Sequence, residues 1–128
     1  MYTQTTNGIA VHVKTEYRGL YKADQAVYHA FAYHIRIENQ GDHPVQLLRR
    51  HWFIYDSWRP LHEVDGEGVV GHTPLFEPGK VFHYSSACQL MGSAGAMKGW
   101  YTFQDLATKE TFEVEIPRFQ LTASYLDN

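Results

Sequence analysis

Two-residue alternation of apolar and polar side chains recurs from one end of this chain to the other, and it confines the fold to β-sheet. Ile9, Val11, Val13 and Tyr17 share one parity, while His12, Lys14 and Glu16 share the other. Tyr28 to Glu38 repeats the pattern, with Phe31, Tyr33, Ile35 and Ile37 set against His34, Arg36 and Glu38. Thr111 to Ile116 closes the series, with Phe112, Val114 and Ile116 against Glu113 and Glu115. A strand sends successive side chains to opposite faces, so each segment predicts a strand with one buried face. No segment predicts an amphipathic helix of useful length.

The segments between complete the plan. Asn39-Gln40-Gly41-Asp42 predicts a turn, because Gly and Asn tolerate positive φ. Val45 and Leu47 are apolar on odd positions, but Trp52 and Ile54 are apolar on even ones. A β-bulge or strand break near Leu48 to Arg50 would account for that slip. Ser57 to Pro60 reads as a turn, Leu61 to Val70 as a strand weakened by glycines, and Val81 to Ser86 as a short strand. Gln89 to Ala94 reads as a small-residue loop, Ala96 to Phe103 as a strand, and Asp105 to Lys109 as a turn. Prolines 44, 60, 74, 78 and 117 all fall between these strands, with Pro117 ending the last. The expectation is one all-β domain over residues 1–128, an antiparallel sandwich of about seven strands of the immunoglobulin or fibronectin type III kind. A closed barrel is the alternative.

Composition excludes several function classes. The 128 residues carry a net charge of −3 with no basic stripe, which argues against a nucleic-acid backbone as partner. One cysteine, Cys88, rules out an intrachain disulfide and a cysteine-only zinc site. The start of the chain is polar, and no run approaches the ~18 apolar residues of a membrane helix. A soluble, cytoplasmic protein without membrane insertion is expected.

Gly66-Glu-Gly-Val-Val-Gly71 is a literal G-x-G-x-x-G, the pattern whose glycines let backbone approach a pyrophosphate at a helix N-terminus. Here His72-Thr73-Pro74 and Pro78 follow, which no helix of any length accommodates. Glu63, Asp65 and Glu67 crowd the motif and would repel phosphate. Gly66, Gly68 and Gly71 therefore read first as a strand edge shaped for close packing, and second as a ligand contact. The three carboxylates lie two residues apart, on one face of a strand at steps of roughly 6.6 Å. With His62 or His72, two of them could approach a divalent cation, although an extended strand cannot bring all three to one ion. A solvated acidic face is the competing reading.

No H-E-x-x-H or Cys/His cluster occurs. Ser85, Ser86 and Cys88 lie near His83 without a nucleophile elbow, so no catalytic residue and no cofactor are expected. Arg49, Arg50 and His51 flank the phase slip beside Trp52, and Trp58 and Arg59 lie in the turn beyond. Tyr, Trp and Arg dominate protein interface hot spots, so Arg49, Arg50, His51, Trp58 and Arg59 form a candidate interaction patch. The alternative places Trp52 in the core with arginine stems covering apolar surface.

Val45-Gln-Leu-Leu-Arg-Arg-His-Trp52, the glycine hexapeptide, Pro74, Pro78-Gly79, Tyr84-Ser85-Ser86 and Met97-Lys98-Gly99 together resemble the ApaG family along the whole chain. The resemblance implies a fibronectin type III-like sandwich and a bacterial, cytoplasmic, stand-alone domain. It implies kinship with modules of eukaryotic F-box proteins and of a polymerase-interacting protein. It carries a loose association with cobalt resistance and magnesium efflux. It supplies no catalytic residues, and it marks Gly66, Gly68 and Gly71 as a candidate pyrophosphate site. The expected function is non-catalytic binding of an unidentified protein partner, with self-association through edge strands as a further outcome. Binding of a small ligand or divalent cation at the Gly66–Gly71 loop is the alternative.

Overall fold

The computed structural model describes residues 1–123. Among these residues nine strands form: β1 Tyr2–Thr6, β2 Ile9–Ala23, β3 Ala26–Asn39, β4 Val45–Asp56, β5 Arg59–Glu67, β6 Leu75–Phe76, β7 Val81–Leu90, β8 Ala94–Asp105 and β9 Thr111–Thr122. Every pairing is antiparallel. One sheet runs β1-β2-β3-β7. The other runs β5-β4-β8-β9, with β6 continuing the β5 side along β4. Among the described residues no helix is long and apolar enough to cross a membrane.

The two sheets make a sandwich, not a closed barrel, and the alternating faces fill it as the periodicity requires. Phe31, Tyr33, Ile35 and Ile37 of β3 share a core with Leu47, Trp52, Tyr101, Phe103 and Phe119. Trp52 sits edge-on to Tyr33, Tyr101 and Phe119, with ring centroids 5.5, 6.5 and 5.9 Å away. Each such side chain contributes roughly 1.5–3 kcal/mol by leaving water.

The phase slip in β4 is a bulge. Pairing with β8 jumps from Leu47–Phe103 to Arg49–Thr102, leaving Leu48 without a partner in the ladder. Odd residues face the core before it and even residues after it.

Four local expectations need correction. β1 was not foreseen, because its YTQTT sequence carries no apolar alternation and only its two ends are half-buried. The end of β7 occupies Gln89 and Leu90, where the small-residue composition predicts a loop, and Leu90 is fully buried. Pro117 lies inside β9, where Lys98 faces both Pro117 and Arg118, and a bulge accommodates the missing N–H. Pro60 lies inside β5, an edge strand with one side free of ladder bonds.

Candidate functional site

One flank of the sandwich is stitched shut and the other is open. On the closed flank, β1 covers the β9 edge: Thr6 Oγ1 accepts from the Glu115 N–H and the Tyr2 hydroxyl from the Gln120 N–H, both at 3.3 Å. On the open flank a groove of about 660 Å³ runs between β5 and β7. Tyr33, Trp52, Met97 and Cys88 belong to its lining, together with the cations Arg50 and Arg59.

The elements around the groove are fixed by short polar contacts. At the β4–β5 turn, Asp56 Oδ1 accepts from the Trp58 and Gly92 N–H groups at 3.0 and 2.9 Å. Its Oδ2 accepts from Met91 N–H at 2.8 Å and Arg59 Nε at 2.9 Å. Burial pushes this carboxyl upward, but the three N–H groups and Arg59 more than offset that and hold it below the usual range. Arg59 also donates to the Gln89 carbonyl at 2.9 Å and lies over the Tyr28 ring. It therefore ties β5 to β7 at one end of the groove.

Arg50 organises the other end. Its NH1 donates to the Glu67 and Gly68 carbonyls at 2.9 and 3.0 Å. Gly66 makes room for this: a Cβ there would stand 3.0 Å from NH1 and 3.1 Å from Cζ. The Gly68 N–H in turn donates to the carbonyl of bulged Leu48 at 2.8 Å. Gly68 has φ +65°, and a Cβ there would fall 2.3 Å from the His72 carbonyl oxygen. Val69 and His72 exchange two backbone bonds at 2.8 and 2.9 Å across a turn whose middle residues, Val70 and Gly71, both have positive φ. Leu47 N–H then donates to the Pro74 carbonyl, and β6 resumes the pairing with β4. The glycine hexapeptide is thus a detour of one sheet edge around the β4 bulge. The chain's own carbonyls take the N–H groups of Gly68, Val69 and His72, three of the donors a phosphate cradle would use.

The candidate patch divides by parity. Arg50 and Arg59 line the groove, and Trp58 stands 76% exposed in the β4–β5 turn, outside the lining. Arg49 and His51 face the opposite side of the sheet. There Arg49 reaches Asp65 at 3.2 Å, and His51 reaches Glu63 at 2.7 Å while stacking on Trp100. The carboxylates of Glu63 and Asp65 are thereby cross-strand partners of His51 and Arg49, and the Glu67 side chain is exposed. Among the described residues no three His, Cys, Asp or Glu side chains are placed to hold a metal ion.

One arrangement has no signal in the sequence. On the outer face of the first sheet, Ser85 Oγ lies 2.6 Å from His34 Nδ1, and His34 Nε2 lies 3.2 Å from Glu16 Oε1. Serine, imidazole and carboxylate in a row resemble a nucleophile with its base and orienting group. The sequence spreads them over 70 positions, and only the β2–β3–β7 register brings them together. The row is exposed to water, and ladder bonds to β2 and β7 consume the β3 backbone beside it. Cys88 is no better a nucleophile, since burial pushes its thiol up to about 11.

Comparison with known proteins agrees with this architecture. The ApaG domain model matches residues 20–105, more than half the chain. Protein ApaG from Rhodospirillum centenum is 40% identical over 125 residues, spanning 98% of this chain and 95% of its own length. An X-ray structure from the Northeast Structural Genomics Consortium superposes with a TM-score of 0.86 at 36% identity, covering 94% of this chain and 90% of its own. The crystal structure of a Bordetella pertussis protein given the name ApaA superposes with a TM-score of 0.79 at 36% identity, covering 97% of each chain. A matching domain model, relatives of nearly full length and a shared sandwich together establish that this chain belongs to the ApaG family.

Proposed function

We propose that this protein is a non-catalytic, cytoplasmic interaction module that receives an extended segment of a partner protein along β7, over the β5–β7 groove. The observation that carries the reading is the character of the β7 edge. Natural sheets blunt free edges with short strands, prolines, bulges or charges. β1 is five residues long, β5 carries Pro60, Glu63, Asp65 and Glu67, and β9 carries Pro117 at a bulge. β7 has none of these devices. Its ten residues hold no Asp, Glu, Lys, Arg or Pro, and it pairs with β3 without a register shift.

Neighbouring residues of a strand point their N–H and C=O groups to opposite sides. The Lys80 carbonyl accepts from the Asn39 N–H on the β3 side, whereas the Gln89 carbonyl accepts from Arg59 across the groove. Odd residues therefore face the open edge, and His83, Ser85 and Ala87 offer donors and acceptors to an added strand. A second copy of β7 is the weaker occupant, because Val81–Leu90 brings no carboxylate to a groove lined by Arg50 and Arg59. On this reading, any divalent-cation role runs through the partner.

Ala87→Pro tests the reading. The Ala87 N–H faces away from β3, so proline there spares the sheet and removes one edge donor. Peptides selected from a random displayed library against the native protein should shift the amides of His83, Ser85 and Ala87, and should lose binding to Ala87→Pro at an unchanged melting temperature. Peptides indifferent to Ala87→Pro would refute strand addition, and β7-to-β7 dimers in light scattering would reassign the edge.

A further inference from the structure

We propose that Arg50 is the specificity-determining anchor of the groove, and that it pairs with an Asp or Glu carboxylate on the extended partner segment. The inference rests on the interaction reading above. The other arginines that the groove and its neighbouring strand contribute are already neutralised: Arg49 by Asp65 at 3.2 Å and Arg59 by Asp56 at 2.9 Å. Arg50 is half-buried, and its bonds among the described residues are those of NH1 to two backbone carbonyls. Those carbonyls hold the guanidinium in place without cancelling its charge. Gly66 lets the plane lie against β5, since a Cβ there would crowd the guanidinium at 3.0–3.1 Å and push it outward.

The consequence is a cation fixed in position, partly withdrawn from water and lacking a counter-ion among the described residues. Such a group is costly to leave unpaired and favours an incoming anion. Its charge acts on the Tyr33 and Tyr84 hydroxyls, where it opposes the rise caused by burial, so its field is felt inside the sandwich as well as in the groove. With NH1 spent, Nε and NH2 remain as one fork of two donors, which matches a planar carboxylate. A phosphate dianion would call for further cations, and the other arginine of the lining, Arg59, is held by Asp56.

The test is a double-mutant cycle on displayed random nine-residue peptides. Selection on the native protein should yield sequences with Asp or Glu at one fixed position relative to the β7 register. Changing that residue to Asn or Gln should weaken binding about 10- to 100-fold on the native protein and by less than about twofold on Arg50→Gln. Arg50→Lys, which keeps the charge but loses the fork, should fall between them. Should Arg50→Gln fail to fold, the native protein decides alone: the acidic peptide should shift the Arg50 Nε–H resonance and its amide counterpart should not. Peptides that need the β7 edge but carry no fixed acid overturn the anchor and leave strand addition standing. A library without binders overturns both. Inorganic phosphate that displaces the peptide at equal concentration overturns the carboxylate preference.

Discussion

Replacing Asp56 offers the sharpest check on how the groove end is held. The side chain is 3% exposed, and its two oxygens accept four bonds. In Asp56→Ala the exposed Trp58 N–H turns to water, but the N–H groups of Met91 and Gly92 lose partners where water enters poorly. A buried donor left unsatisfied costs about 1–3 kcal/mol, so the pair costs about 2–6 kcal/mol. Arg59 is more exposed and keeps the Gln89 carbonyl, so it adds less than about 1 kcal/mol. A loss near 4 kcal/mol is a large share of the roughly 5–15 kcal/mol that holds a domain together. Asp56→Asn keeps the Oδ1 bonds but turns an amide NH₂ toward Met91 N–H and Arg59, for a loss of about 2–3 kcal/mol. Urea unfolding followed by tryptophan fluorescence should show both losses at constant m-value. The acid limb follows by sign: the folded carboxyl titrates below its unfolded value near pH 4, so its stabilisation is complete above that value and is lost as pH falls through the folded one. Asp56→Asn should flatten that limb. A loss under 1 kcal/mol for Asp56→Ala would mean the turn is held by other means.

Gly68→Ala should cost about 2–4 kcal/mol, because its Cβ meets the His72 carbonyl at positive φ. Gly71→Ala, at φ +82° in open space, should cost only about 1 kcal/mol, and equal melting-temperature losses would contradict this division. The hydrogen bond that the ring donates to the Asp105 carboxylate, with that carboxylate's charge, raises the His43 pKa, so the ring should titrate above 6.5 by NMR and return toward 6.5 in Asp105→Asn. That pair stabilises fully below the unfolded histidine value and fades as pH rises through the folded one. Ser85 should stay unlabelled by a fluorophosphonate, and labelling that vanishes in His34→Ala would overturn the non-catalytic reading.

The sandwich was legible because burial on one face of each strand writes itself as period two. Even the bulge was legible, since Leu47 and Trp52 are both core residues on opposite parities. What escaped was set by pairing. β1 is held by β2 and by side-chain bonds to β9, so its own composition gives no sign of it. Pro117 reads as a stop until the two-against-one count opposite Lys98 is known. The Glu16–His34–Ser85 row depends on register between strands 51 residues apart. The candidate patch drew together neighbours in sequence, and alternation then separated Arg49 and His51 from Arg50.

The glycine hexapeptide, the β4 slip and Arg50 form one device. Had β4 kept its odd phase past Leu48, Arg49 and His51 would point between the sheets, and Arg50 would join the acidic ladder of Glu63 and Asp65. The slip gives up one ladder pairing. In return it puts Trp52 into the core and a cation into the groove. The partner edge must then bend around the bulge, and each glycine answers one demand of that bend. Gly66 yields space to the guanidinium, Gly68 brings two backbone segments within a carbonyl's width, and Gly71 closes the turn. A motif that in another context binds phosphate here uses its backbone donors to hold the chain to itself, and the charge it leaves over lies on Arg50.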